Sequence, residues 1–434
     1  MFKSLRFLFA ISLAAFFTSI GAGIATGQPD PANNSNPPVV KLNIIETSLG
    51  KIVGRDIFAT LVVSPDSKRI AYATERGKKC LVVVDGVEGK EYDGIVDGSL
   101  VFSPDSKRVA YLALRGGKWL VVVEGVEGKE YDGTLKGTLV FSPDSKRVAY
   151  AAGRGGECLV VVDGAEGKEY DIAGYGGIAF SPDSKRVAYG AVRGGKWLVV
   201  VDGVEGKEYD FIWGFAFSPD SKRVAYGAKR GKKSFVVVDG VEGREYDDIG
   251  TVPMFSPDLK HIAYEAKRGE KWLVVVDGVE GKEYDGVNGL VFSPDSKRVA
   301  YFAIRGDKGF VVVDGVEGKE YDGIGTDPIF SPDSKRVAYG AVRGGKWLVV
   351  VDGVEGKEYD GTLKGTLAFS PDSKRVAYGA KRGEKCFVVV DGVEGKEYDG
   401  FVRRSRLVFD SPTKLHMLAI RDGELFLVEI EITE

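Results

Sequence analysis

The chain has 434 residues, 44% hydrophobic and 28% charged, with 60 lysines and arginines against 63 aspartates and glutamates. This is the composition of an ordinary folded protein and excludes disordered or collagen-like classes. A formal net charge of -3 gives no electrostatic reason to expect nucleic acid or an anionic membrane surface as partner.

Residues 1–27 read as an export signal: Lys3 and Arg6 precede an apolar stretch from Phe7 to Ile20, and small residues follow, with cleavage expected after Ala25 or Gly27. The stretch is near the lower limit for spanning a bilayer, so an uncleaved anchor is the alternative. No cysteine follows it, which gives no support to a lipoprotein anchor, and no other long apolar run occurs, so no transmembrane domain is expected after cleavage. Residues 28–38, QPDPANNSNPP, form a linker too polar to fold, and Asn33-Asn34-Ser35 fits the N-glycosylation pattern. The expected location is periplasmic or extracellular.

From residue 39 the chain turns strand-like and then repetitive. The Ser of a Ser-Pro-Asp turn recurs at Ser64, Ser103, Ser142, Ser181, Ser218, Ser256, Ser293, Ser331 and Ser370, at spacings of 39, 39, 39, 37, 38, 37, 38 and 39. A degraded further copy starts near Phe409 and Ser411. A period of this size marks a repeat architecture whose units must stack to bury their apolar faces. Each unit reads as four short strands. In the copy from Leu139 to Tyr170, Leu139-Val140-Phe141 ends at a Ser-Pro-Asp-Ser turn, Arg147 to Ala152 alternates, and Leu159 to Val162 is unbroken, as expected with both faces covered. Lys168-Glu169-Tyr170-Asp171 carries the charge of a protected edge strand. Four antiparallel strands of this kind describe a propeller blade, its first strand at the axis and its fourth facing solvent.

FSPDSKRVAY resembles the WD40-like (PD40) repeat of TolB-type β-propellers, in which F-S-P-D-G-K-x-I-A-Y marks the first two strands. Ser67, Ser106, Ser145 and their counterparts replace the usual Gly, with Leu259 once. The resemblance spans about residues 42–430 and implies an all-β propeller without naming a function. Some relatives carry a peptidase; this chain has no G-x-S-x-G elbow. Aligning Gly50-Lys51 with Gly89-Lys90 puts Leu42 to Ile45 over a third strand and the next segment over a fourth, while residues 409–432 supply a first, second and third strand and stop. A final blade built from both termini would remove two free edges. The expectation is about ten blades over residues 39–434, more than the roughly four to eight usual for propellers. Two five-bladed rings are the alternative, although no linker interrupts the midpoint.

Cys80, Cys158 and Cys386 occupy one repeat position, shared with Trp119, Trp197, Trp272 and Trp347, and read as packed thiols too far apart for disulfides. His261 and His416 lack further metal-ligating partners, so neither a metal nor a cofactor is expected. The carboxylates around Asp202, Glu205, Glu208 and Asp210 recur in nearly every copy, which favours turn-forming and edge-protecting roles over catalysis. What varies is the link into the next copy, among them IAGYGG, FIWG and GFVRRSR. These links are expected on one face with the Arg-Gly turns, where loops on a rigid scaffold bind ligands. Tyr175, Trp213, Arg403, Arg404 and Arg406 are the candidate binding residues, aromatic and Arg side chains being common interface anchors. The alternative is that Trp213 plugs the axis. The reading is an exported non-enzymatic module for a protein, peptide or cell-envelope component. A carboxylate-dependent hydrolase or lyase at the axial opening, or a purely structural repeat protein, are the alternatives.

Overall fold

The computed structural model describes residues 40–51, 60–250, 252–402 and 405–433. The signal, the linker, Arg403 and Arg404 lie outside them. The described strands form ten antiparallel sheets, numbered in chain order: blades 1–9 span residues 62–88, 94–127, 133–170, 172–205, 211–242, 248–280, 286–317, 323–355 and 361–394, and blade 10 joins residues 400–433 to 41–51.

Blade 3 shows how the local sequence builds a unit. Gly133–Thr134 and Val140–Phe141 form a split innermost strand, followed by Val148–Arg154, Glu157–Val162 and the outermost Ala165–Tyr170. Asp163 and Gly164 have φ of 53° and 81° and connect the paired Val162 and Ala165, the two-residue turn whose twist suits a hairpin. The unbroken Leu159 to Val162 run follows from stacking on both sides: Leu159 and Val161 pack with blade 2, whereas Val160 packs with blade 4. In other blades the outermost strand is shorter and earlier than the charged segment suggested. It begins at Val126–Glu127 in blade 2, and Tyr131 then makes one bridge to Trp119. Tyr131 is buried, because it closes the core against the next blade instead of standing in water.

The Ser-Pro-Asp turn is also a junction between blades. The Ser142 hydroxyl donates to Asp144 Oδ1 (2.6 Å) and accepts the Arg147 N–H (2.9 Å). Ser145, at φ 64°, stands where the resemblance expects Gly, and its oxygen accepts the N–H of Asp105 in blade 2 at 2.9 Å. The hydroxyl thus offsets the strain of a left-handed residue with a bond that glycine cannot make. Arg147 continues the staple: Nε donates to Asp163 Oδ2 (2.7 Å), Nη1 to the Ser184 and Lys185 carbonyls of blade 4 (2.9 and 3.0 Å), and its guanidinium lies 5.3 Å from the Phe180 ring centre. Ser145→Ala keeps the strain and strands a donor, so it should cost about 1–2 kcal/mol in urea unfolding. Ser145→Gly, which also releases the strain, should cost less; an equal loss in both variants would dismiss the hydroxyl's role.

Blade 5 packs on blade 6 through Val236, Tyr246, Tyr264 and Leu273, and blade 10 packs on blade 1 through Leu418, Leu425 and Ile70. Those two junctions make one closed ring of ten and exclude two rings of five. Blade 10 is composite, but the N-terminal part differs from the alignment above. Lys41–Lys51 is one strand, antiparallel to Glu424–Thr433 and outermost. Glu46, not Gly50, fixes the register: it accepts the Tyr398 hydroxyl at 2.7 Å as Glu127 accepts that of Tyr92 at 3.1 Å. Leu42 to Ile45 cannot be a third strand because Glu424–Thr433 already holds that place.

Candidate functional site

The recurrent carboxylates are consumed by the ring. Glu166 accepts from Lys129 Nζ (2.6 Å) and the Tyr131 hydroxyl (3.0 Å), both of blade 2, and from its own blade's Arg154 Nη1 (2.7 Å). Lys129 first, then Arg154, hold its carboxyl down at about 2, while burial pushes the Tyr131 hydroxyl above its ordinary range. Asp132 is likewise lowered, by Lys118 and by the Gly155 N–H that it accepts at 2.9 Å. Blade 3 departs, as blade 10 does with Glu424: Glu157 stands where the other eight blades have Lys, and its contact with Glu169 raises its range. Both are exposed, and Arg154 keeps Glu169 low.

That Asp132 to Gly155 bond, repeated as Asp93 to Gly116 (2.7 Å), puts the start of each link beside an Arg-Gly turn, as expected. The rest of the link is not a free loop. Its residues pair with the next blade's second strand and form that blade's innermost strand, as Gly94–Ile95 does with Leu114 and Ala113, because the chain can continue a ladder as soon as it has crossed the junction.

The repetition breaks at blades 4 and 5. Where blades 2, 3, 6, 8, 9 and 10 have split innermost strands, Ile172–Phe180 and Phe211–Phe217 run on, with register shifts at Tyr175 and between Trp213 and Phe215. Blade 7 also has a continuous one, Gly286–Phe292, but without the aromatics. The shifts gather a platform. The Tyr175 ring, 41% exposed as a residue, lies 4.6 Å from Trp197 and 6.1 Å from Phe211 between centroids. Trp197 and Phe211 are 5.0 Å apart, and Phe211 stacks on Trp213 at 6.0 Å and 22°. Such offset and edge-on pairs hold each ring in place. Gly227 makes room for Trp213, since a Cβ there would sit 2.4 Å from its ring. Trp213 is half-buried and its Nε1 has no hydrogen-bond partner among the described residues. It packs against the core shared by blades 5 and 6, so it is a wall of the platform and not a free plug.

Tyr175 and Trp213 therefore come together, through Phe211 and Trp197, neither of which is among the residues expected from the sequence. Phe211 was visible in the FIWG link; Trp197 was hidden because its repeat position reads as core everywhere. Arg406 does not join them. It is exposed in blade 10, five blades around the ring from Trp213, with its N–H donated to Ser67 Oγ at 3.3 Å. The physical reason is the ring itself, which separates links that look equivalent in the chain.

His416 is fully buried where blade 10 meets blade 1: Nδ1 is 2.6 Å from Asp410 Oδ2 and Nε2 2.6 Å from the Asp66 carbonyl. Lys68 reaches Asp410 at 3.3 Å across the same seam. Nothing in the period of the sequence marks this role. His261 takes the usual arginine's place against Asp277, at 2.6 Å. Cys80, Cys158 and Cys386 are free thiols, and burial raises that of Cys386. Among the described residues no group of three or more His, Cys, Asp or Glu is placed to hold a metal ion, and no helix is long and apolar enough to cross a membrane.

No family model and no curated protein matches the chain. Solved structures similar to it include a eukaryotic initiation factor, at TM-score 0.46 and 13% identity over 79% of this chain and 88% of that one. The Dos1 propeller is similar at TM-score 0.36 and 11% identity, covering 88% and 94%. TolB from Acinetobacter baumannii is similar at TM-score 0.29 and 18% identity, covering 51% of this chain and 61% of its own. The ten sheets, packed in one closed ring, make the chain a β-propeller.

Proposed function

We propose that the chain is an exported, non-enzymatic propeller of the TolB-like PD40 type that binds a protein, peptide or cell-envelope component on the aromatic platform of blades 4 and 5. The single observation behind this reading is that Tyr175, Trp197, Phe211 and Trp213 cluster where tenfold repetition fails. Repeated surface groups serve the ring, so a site for one partner belongs where blades differ. Rigid aromatic rings with an exposed face are efficient anchors, since little side-chain freedom remains to be lost on binding.

Residues 1–27 would direct export and be removed, leaving residues 28–38 as a linker ahead of the propeller. Affinity capture from envelope extract with residues 28–434 tests the site, run beside Tyr175→Ala/Phe211→Ala with equal melting of both proteins as a control. One saturable component should be captured, with at least about a tenfold loss in the variant, the effect of removing an anchor. Equal capture by both proteins would refute the platform as the site, and capture of nothing discrete would favour the structural reading. Release of an acyl or glycosyl product from envelope material by the wild type would instead point to the hydrolase.

A further inference from the structure

The outer rim carries a second feature that does not depend on the aromatic platform. At the junctions of blades 2 and 3, 7 and 8, and 8 and 9, clefts of about 380, 450 and 370 Å³ open to the outside. These volumes fall in the range of small-ligand sites, roughly 300–1,000 Å³. The first cleft is walled by Val121, Val123 and Val126 of blade 2 and Val148 of blade 3. Gly128 also lines it, and a Cβ there would press on the Val121 carbonyl at 3.2 Å. Val126 is 72% exposed at the rim, as is Val354 at the cleft of blades 8 and 9, and Val316 at the cleft of blades 7 and 8 is 65% exposed. A lone surface valine needs no explanation, but here each stands over a recess of further valines.

The charges around the cleft are spoken for, with one exception. Arg108 is bound to Glu124 (2.9 Å), Lys129 to Glu166 (2.6 Å) and Asp163 to Arg147 (2.7 Å). Lys146, which also lines the cleft, has no ion pair among the described residues. In the cleft of blades 7 and 8 the equivalent Lys335 is 82% exposed at its side chain and reaches only Asp333 of its own turn, at 3.8 Å. The mouths of these two clefts thus each set a loosely held cation over aliphatic walls, whereas the lining of the cleft of blades 8 and 9 includes no such lysine. A peptide backbone would need polar partners along its length, whereas the other charged groups here are engaged with one another.

We propose that the clefts of blades 2 and 3 and of blades 7 and 8 bind the aliphatic chain of a fatty carboxylate, the valines taking the chain and the turn lysine the carboxylate, so that one ring holds more than one copy. The test is a titration of the full chain, labelled at its valine methyls, with decanoate below its micelle threshold, followed by NMR. Saturable shifts of the Val126 and Val316 methyls are expected, with more than one ligand per chain. Decanol should bind about two- to fivefold more weakly, the worth of one exposed ion pair. Lys146→Gln should weaken the Val126 response by the same factor and leave Val316, in an unaltered cleft, as it was. Decanol or decyltrimethylammonium binding as well as decanoate, shifts that never saturate, or a single site near Tyr175 would each overturn the proposal. So would a hydrophobic acidic peptide moving these methyls where decanoate does not.

Discussion

A chain lacking residues 1–51 is expected to melt well below the intact protein and to self-associate. The missing outermost strand of blade 10 pairs with Glu424–Thr433 along its whole length, and Leu42, Ile44 and Leu49 pack half-buried against the seam and the last core. Three half-buried aliphatic side chains contribute about 3 kcal/mol, a large share of the roughly 5–15 kcal/mol that holds a typical domain. The loss also frees Glu46's partners Arg421, Tyr398 and Lys396, and leaves ELFLVEIEIT as an uncovered edge. Thermal melting with light scattering measures both effects, and a peptide of residues 40–51 added in trans should reverse them. A truncated chain that melts like the intact one and stays monomeric would show that ring closure does not rest on this strand.

The second large effect is acid sensitivity. Glu46, Glu127, Glu166, Glu205, Glu242 and Glu355 are each held from 4.5 down to about 2. The leading cause is the hydrogen bond from a cation: Arg421 for Glu46, Arg230 for Glu242, and a lysine of the preceding blade for the other four. A carboxylate depressed in the folded state binds protons more readily when unfolded. Its contribution is therefore complete above about 4.5 and lost as the pH falls toward 2. Because the groups act at successive junctions, their losses fall in one window, and melting temperature should drop steeply between pH 4.5 and 2 while changing little from 5 to 7. Salt should soften the drop, since these pairs are largely exposed. A melting temperature that stays level down to pH 2 would rule out the ring of glutamates as a source of stability.

Much of the fold is legible in the chain. The recurring Ser-Pro-Asp turn, the Asp-Gly turn and the unbroken Leu-Val-Val-Val run each carry local physics: a pre-set φ, a left-handed pair, a strand covered on both faces. These suffice for a four-stranded unit, and the strand deficit at residue 432 against the surplus near residue 42 suffices for a composite blade. Tyr175 and Trp213 are also legible, as departures from a repeated link.

Contacts between units are a different matter. The Asp105 N–H meets the Ser145 hydroxyl 40 residues away, Lys129 meets Glu166 37 away, and the same residue types recur within each unit. In a near-perfect repeat, a partner in the same blade and a partner one period on give the same pattern, so only the stacked ring tells them apart. The same holds for His416 and Asp66, 350 residues apart, which meet because the last blade comes round to the first. It holds too for Arg406, which shares a kind of link with Trp213 yet lies half a ring away. Local turn and strand chemistry is written within about forty residues and reads directly. Ring closure, the ties between blades and the membership of the aromatic platform depend on which blade stands beside which, and that follows from packing ten faces around one axis.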